Sequence, residues 1–246
     1  RASGEREERA YLLGGVHPDF RRRGIGTSLF GWQLGRATEQ LRATGNGLPR
    51  FVRTQAYDFE TSAIALYERH GLLPIRYQDE LLRPLEHPSP SVSVEGIEIS
   101  GWEPPRSEEA RAVYNEAFAD HWGSTPRDRK SWDHHLTSTG IRLDLSFIAT
   151  DAGRLVGLAL NAHYPDDQAL TGRRDGWIFQ LAVLRSHRRR GIASALIGAS
   201  LEAFRQAGFT HAALGVDSEN PTGAYRLYEG LGFRRMTRSI VHQLQV

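Results

Sequence analysis

Cysteine is absent from all 246 residues. No disulfide, zinc–thiolate site or thiol nucleophile can be built, and the lack suits a reducing compartment, so a cytoplasmic setting is expected. Lysine is nearly absent as well. Lys130 is the single lysine among 31 basic residues; every other one is arginine. No apolar run comes near the ~20 residues that span a bilayer, so no membrane partner is expected. An excess of one charge is also lacking: 29 acids leave a formal net charge of +2. That is too little to draw the chain to nucleic acid, and no metal is expected.

What the chain does have is a repetition. Residues 16–29 read VHPDFRRRGIGTSL and residues 183–196 read VLRSHRRRGIASAL. Each copy follows an apolar strand pattern and opens an apolar helix pattern. The first-turn amides of a helix have no intrahelical acceptor, and the helix dipole makes that end positive. Gly191 and the small Ala193 let a bulky anion approach the backbone. Arginines 188–190 add charge-assisted hydrogen bonds of the kind phosphate takes. Neither G-x-x-x-x-G-K-[ST] nor G-x-G-x-x-G opens either helix. A solvated arginine run beside a glycine turn, or a basic nucleic-acid patch, would leave the same pattern in a single copy.

Prolines and serines punctuate residues 84–93, PLEHPSPSVS, as in a connector. The expected organisation is a first domain over 1–84, a linker over 85–92 and a second domain over 93–246. In the second part, alternation of Val92, Val94, Ile97 and Ile99 predicts a strand with a slip at Gly96. Ser107-Glu108-Glu109 predicts a capped helix start, and a short helix is expected over 127–138. Strands follow around 145–150 and 155–163, then 177–183. A long helix over 191–206, a strand over 211–216, a helix over 222–230 and a strand over 233–243 complete the order β-α-α-β-β-β-α-β-α-β.

The pairing of Arg188-Arg189-Arg190-Gly191-Ile192-Ala193 with NPTGAYRLYEGLGF at 220–233 resembles the GNAT acetyltransferase superfamily. Its members carry [QR]-x-x-G-x-[GA] after the fourth strand, and N-x-x-[AG]-x-x-L-Y-x-x-x-G-F on the fourth helix. The resemblance covers 92–246 without a gap. It implies an α/β fold with a mixed sheet, acetyl-CoA as cosubstrate, and an amine acceptor. It also implies contacts to acetyl-CoA from Leu181, Ala182 and Val183 for the pantetheine arm and from residues 188–194, including Ile192, Ala193 and Ser194, for the pyrophosphate. Asn220 and Tyr225 are expected beside the cosubstrate. Tyr228 stands where the family often protonates the departing thiolate. The family's fourth-strand glutamate is replaced by Trp177; Asp175 is the named candidate base, with His163, Asp217 and Glu219 as others. In the acceptor region HWGSTPRDRKSWDHHL, the candidate lining residues are Trp122, Trp132 and His135.

The first part resembles a second copy. Gly14, Gly15 and Val16 precede Arg21-Arg22-Arg23-Gly24-Ile25-Gly26-Thr27, and ALYERHGL at 65–72 parallels RLYEGLGF at 226–233. Gly24 and Gly191 lie 167 residues apart, Tyr67 and Tyr228 161 apart. Glu8 aligns with Asp175 by the first offset. Phe59-Glu60 replaces the asparagine–proline pair, and the chain starts one strand before the motif, so an incomplete first domain with residual acyl-CoA affinity is expected. Such tandem chains resemble mycothiol-synthase-like and antibiotic-pathway acetyltransferases. A small-molecule amine acceptor is the leading expectation. A protein or peptide N-acetyltransferase and a non-catalytic acyl-CoA-binding module are the alternatives, and a homodimer is a possible assembly.

Overall fold

The computed structural model describes residues 2–3, 7–45, 47–86, 88, 92–119, 121–122, 124–218 and 223–246. In chain order the first elements are β1 (Ala2–Ser3), β2 (Glu8–Tyr11), α1 (Ile25–Arg42), β3 (Arg50–Tyr57), α2 (Thr61–Arg69) and β4 (Leu73–Pro84). There follow β5 (Ile97–Gly101), α3 (Ser107–Ala117), α4 (Arg129–Leu136), β6 (Phe147–Asp151) and β7 (Arg154–Ala162). The last are α5 (Pro165–Thr171), β8 (Asp175–Val183), α6 (Ile192–Gln206), β9 (His211–Asp217), α7 (Ala224–Gly230) and β10 (Arg234–Gln245).

Two compact units form. One comprises Arg1–Asp79, Asp217–Glu219 and Thr237–Val246, the other Glu80–Val216 and Asn220–Met236. The expected boundary at the linker thus differs from these units at two strands: Glu80–Pro84 of β4 groups with the second unit and Thr237–Val246 with the first. In the first unit β2 pairs antiparallel with β1 and parallel with β3. The end of β10 pairs antiparallel with β3 from Ser239↔Tyr57 to Gln245↔Phe51. Helix α1 buries Phe30, Ala37 and Leu41 at helical spacing, against Leu12, Val52 and Leu72, and Leu244 and Val246 pack on the same core.

In the second unit the strand order is β9-β8-β7-β6-β5, antiparallel up to β8 and parallel between β8 and β9. Strand β7 is buried over all but its first residue, with α3 and α6 packed on it. Helix α6 buries Ile192, Leu196, Leu201 and Phe204, the spacing expected of one helical face. Asn161, fully buried on β7, donates to the Leu145 carbonyl at 2.6 Å and to Ser200 Oγ at 2.9 Å, tying the strand to α6. Gly176 on β8 meets the Phe204 ring so closely that a Cβ would sit 2.6 Å from it.

Four expectations need correction. Strand β5 starts at Ile97 rather than Val92, because Glu95 and Gly96 form a turn with Gly96 at φ +73°. Ser107 is the first residue of α3 rather than its cap; its hydroxyl accepts from Trp132 Nε1 at 3.0 Å. Helix α5 was not expected. Leu85, placed in the linker, is buried in the second unit's core, and its N–H donates to the Thr210 carbonyl at 3.0 Å.

Candidate active site

The two arginine turns share a hydrogen bond and a run of backbone angles. Arg21 Nε donates to the Val16 carbonyl at 3.3 Å, and Arg188 Nε to the Val183 carbonyl at 3.3 Å. Arg22 and Arg189 sit at φ +61° and +62°, and Gly24 and Gly191 at +78° and +87°. The first arginine of each triplet therefore closes the turn, and the glycine takes a left-handed conformation that a side chain would strain. Strand register repeats as well: Glu8 pairs with Arg50 and Asp175 with His211, the same 167- and 161-residue offsets as the motifs.

Each turn delivers the chain into a long helix. Ser28 N–H donates to the Gly24 carbonyl and Ala195 N–H to the Gly191 carbonyl, each at 3.0 Å, as the first intrahelical bonds. The amides of Ile25, Gly26 and Thr27, and those of Ile192, Ala193 and Ser194, precede those bonds and face no backbone acceptor among the described residues. Three such amides at the positive end of a helix fit a diphosphate. At Gly24 a Cβ would meet nothing within 4 Å, whereas at Gly191 it would reach Val94 Cγ2 at 3.3 Å. In the second unit Arg190 also donates to Asp151 at 2.9 Å, and His187 Nε2 lies 3.4 Å from the same carboxylate. The Arg190 hydrogen bond holds the Asp151 carboxyl below its ordinary range. Arg188 donates to the Ala117 carbonyl at 2.9 Å. Arg188 and Arg190 of the second turn are thus held by these contacts.

Strand β8 leads into this turn, and its two edges differ. Toward β7 it is paired through Val183; toward β9 the registered pairs are Asp175↔His211, Gly176↔Ala212 and Trp177↔Ala213 alone. From Ile178 to Val183, which includes Leu181 and Ala182, the strand diverges from β9. A parted edge presents backbone N–H and C=O groups to whatever extended chain enters. Its register with β7 also shifts: Gln180 faces Leu160 and Ile178 faces Asn161, so Phe179 is a bulge residue without a counterpart. Phe179 is 39% exposed.

Tyr228, on α7, is 9% exposed and shares a core with Ile178 and Leu181 of β8. Burial pushes its phenol up to about 12, and its hydroxyl has no partner among the described residues. The phenol is therefore protonated at every physiological pH. Tyr67, its counterpart on α2, is half-buried between the rings of Phe30 at 5.0 Å and His242 at 5.5 Å.

The other expected residues are scattered. Asp175 is 8% exposed and takes three contacts from Arg173, at 3.1, 3.2 and 3.3 Å. His163 bonds the Asp175 carbonyl at 3.1 Å, and Asp217 accepts from Arg76 at 3.0 Å. Tyr225, on α7, packs half-buried on the second unit's core. Trp132 is buried, a packing position rather than a pocket wall, and Trp122 is half-buried. His135 is 6% exposed and stacks on Phe179 at 5.4 Å and 28°. Asn220 and Glu219 lie outside the described residues. Sequence reasoning missed Phe179, Arg173 and Asp151; a strand bulge leaves no mark in an apolar run such as WIFQ.

The profile of the Acetyltransferase (GNAT) family matches residues 4–72 and 107–233. The chain belongs to the GNAT acetyltransferase family. A mycothiol acetyltransferase of Thermobispora bispora is 33% identical over 239 residues, 93% of this chain and 74% of that protein. Among solved structures, a GCN5-related N-acetyltransferase from Sphaerobacter thermophilus superposes with a TM-score of 0.79 at 28% identity, covering 97% of this chain and 73% of that one. A tandem GNAT protein from the clavulanic acid biosynthesis pathway shares the fold, with a TM-score of 0.71 at 16% identity over 97% of this chain and 75% of that one. This GNAT chain is an acetyl-CoA-dependent N-acetyltransferase. Among the described residues no helix is long and apolar enough to cross a membrane.

Proposed function

We propose that the second unit transfers the acetyl group of acetyl-CoA to the primary amine of a small molecule. The observation that carries this reading is the parting of β8 from β9 after Trp177, running directly into the free amides of Ile192–Ser194. An extended arm lies along 178–183 and a pyrophosphate on the turn. The amine lone pair attacks the thioester carbonyl, the C–S bond breaks, the thiolate takes its proton from the Tyr228 hydroxyl, and the proton the nitrogen releases on becoming an amide returns through solvent to the Tyr228 phenolate. Burial keeps that phenol protonated, so the proton is in place when the thiolate forms. Asp175, bound by Arg173, serves the start of β8, and deprotonation of the amine is not assigned to it. The mycothiol acetyltransferase relative supports a small-molecule acceptor, and a cytoplasmic setting fits a chain without cysteine. Gly14–Val16 and Arg21–Thr27 of the first unit hold a second acyl-CoA molecule without being the main catalytic centre.

Thiol release from acetyl-CoA, measured with a panel of small amines and with N-terminal and lysine peptides, tests the reading. Release with small amines and not with peptides is expected. Release confined to peptides would overturn the acceptor class, and no release with any acceptor would overturn transfer itself.

A further inference from the structure

We infer that Phe179 is the acceptor's platform: its exposed ring face takes the flat face of a ring-bearing amine, and His135 positions it from behind. The inference rests on the acceptor reading above. An apolar strand residue that is 39% exposed is unusual on β8, where Ile178, Ala182 and Val183 are buried. Strand alternation turns it away from the core that holds Ile178 and Tyr228, and the bulge leaves it without a counterpart on β7. Phe179 therefore lies one residue from Ile178, which packs with the proposed proton donor.

Its ring is held rather than loose. His135 stacks on it, and behind His135 stand Trp132 at 5.9 Å and Tyr114 at 6.2 Å. Ser107 fixes Trp132 through its indole N–H. His135 keeps Nε2 buried and without a hydrogen-bond partner; burial, with the nearby Arg127 and His134, holds its imidazole down to about 4. It stays neutral, so it meets Phe179 as a flat, uncharged face. A fixed aromatic ring with one side open recognises the C–H face of a saturated ring or the face of an aromatic one, whereas an acyclic chain covers much less of it.

The test compares kcat/KM for glucosamine with kcat/KM for 2-aminoethanol, both with saturating acetyl-CoA. The wild-type chain is expected to favour glucosamine by at least about tenfold, and Phe179→Ala to bring that ratio near one, while Phe179→Trp keeps it. His135→Ala should raise KM for glucosamine more than it lowers kcat, and His135→Phe should restore the KM because the stack survives. A wild-type preference that persists in Phe179→Ala overturns the inference, as does equal use of both amines by the wild type. His135→Phe behaving like His135→Ala in a folded protein overturns the positioning role. A chain that binds acetyl-CoA and acetylates no amine overturns the acceptor reading itself, and this inference with it.

Discussion

Gly191 shows how much one residue can decide. Its φ of +87° suits glycine, and a β-branched side chain there would also press on Val94 Cγ2, 3.3 Å from the Cβ position. Gly191→Val is expected to keep the fold and weaken acetyl-CoA binding by at least about tenfold, since it reorients the amides of Ile192–Ser194. Calorimetric titration checks this; unchanged affinity in a folded variant would contradict the turn's role. His135 provides a pH test. Folded, its imidazole titrates near 4; unfolded, near 6.5. Between those values the unfolded chain binds the extra proton, so stability is full above about pH 6.5, falls as the pH drops toward 4, and levels off below. His135→Phe removes this loss and the buried unpartnered nitrogen together. Its urea midpoint should exceed the wild-type midpoint by more at pH 4.5 than at pH 7.5. An equal gap at both would count against a neutral buried imidazole.

Elements differ in how openly the sequence announces them. Strand β8 and helix α6 meet where Gly176 faces Phe204, with 2.6 Å left for a Cβ. Gly176→Ala should cost about 1–3 kcal/mol through overpacking, seen as a lower denaturant midpoint with unchanged slope; a neutral result would mean the ring shifts freely. Helix α6 was legible because its apolar spacing and its opening glycine agree. Helix α5 was missed although Pro165 at its start, Asp166 and Asp167 in its first turn and left-handed Gly172 at its end punctuate it. Seven residues hold too few apolar positions for periodicity to register. The start of β5 was misjudged because apolar alternation resumes after the Glu95–Gly96 turn with only a one-residue slip, which reads like an irregular strand. The site was half legible. The turns and Tyr228 follow from motif and spacing, whereas the Phe179 bulge depends on how β7 pairs with β8, and the Arg173 bond to Asp175 on side-chain reach. Neither is written in a single stretch of chain.

At the scale of the whole molecule, one chain builds the same strand–turn–helix twice and shares out its strands unexpectedly. Deleting Thr237–Val246 should strip β3 of its antiparallel partner along Phe51–Tyr57. Amide hydrogen exchange is expected to show protection lost there; retained protection would contradict the assignment of β10 to the first unit. Duplication also raises the question of which copy does the chemistry. Tyr228 is buried in one core with Ile178 and Leu181 of the parted strand, whereas Tyr67 is half-buried between Phe30 and His242. The most direct measurement is a pair of variants, Tyr67→Phe and Tyr228→Phe, assayed for thiol release with one acceptor and for acetyl-CoA affinity. Transfer at the second unit predicts that Tyr228→Phe lowers kcat on the order of 10²-fold with acetyl-CoA affinity nearly unchanged, and that Tyr67→Phe turns over like the wild type. Loss of turnover in Tyr67→Phe with full activity in Tyr228→Phe would contradict it and move the active centre to the first unit.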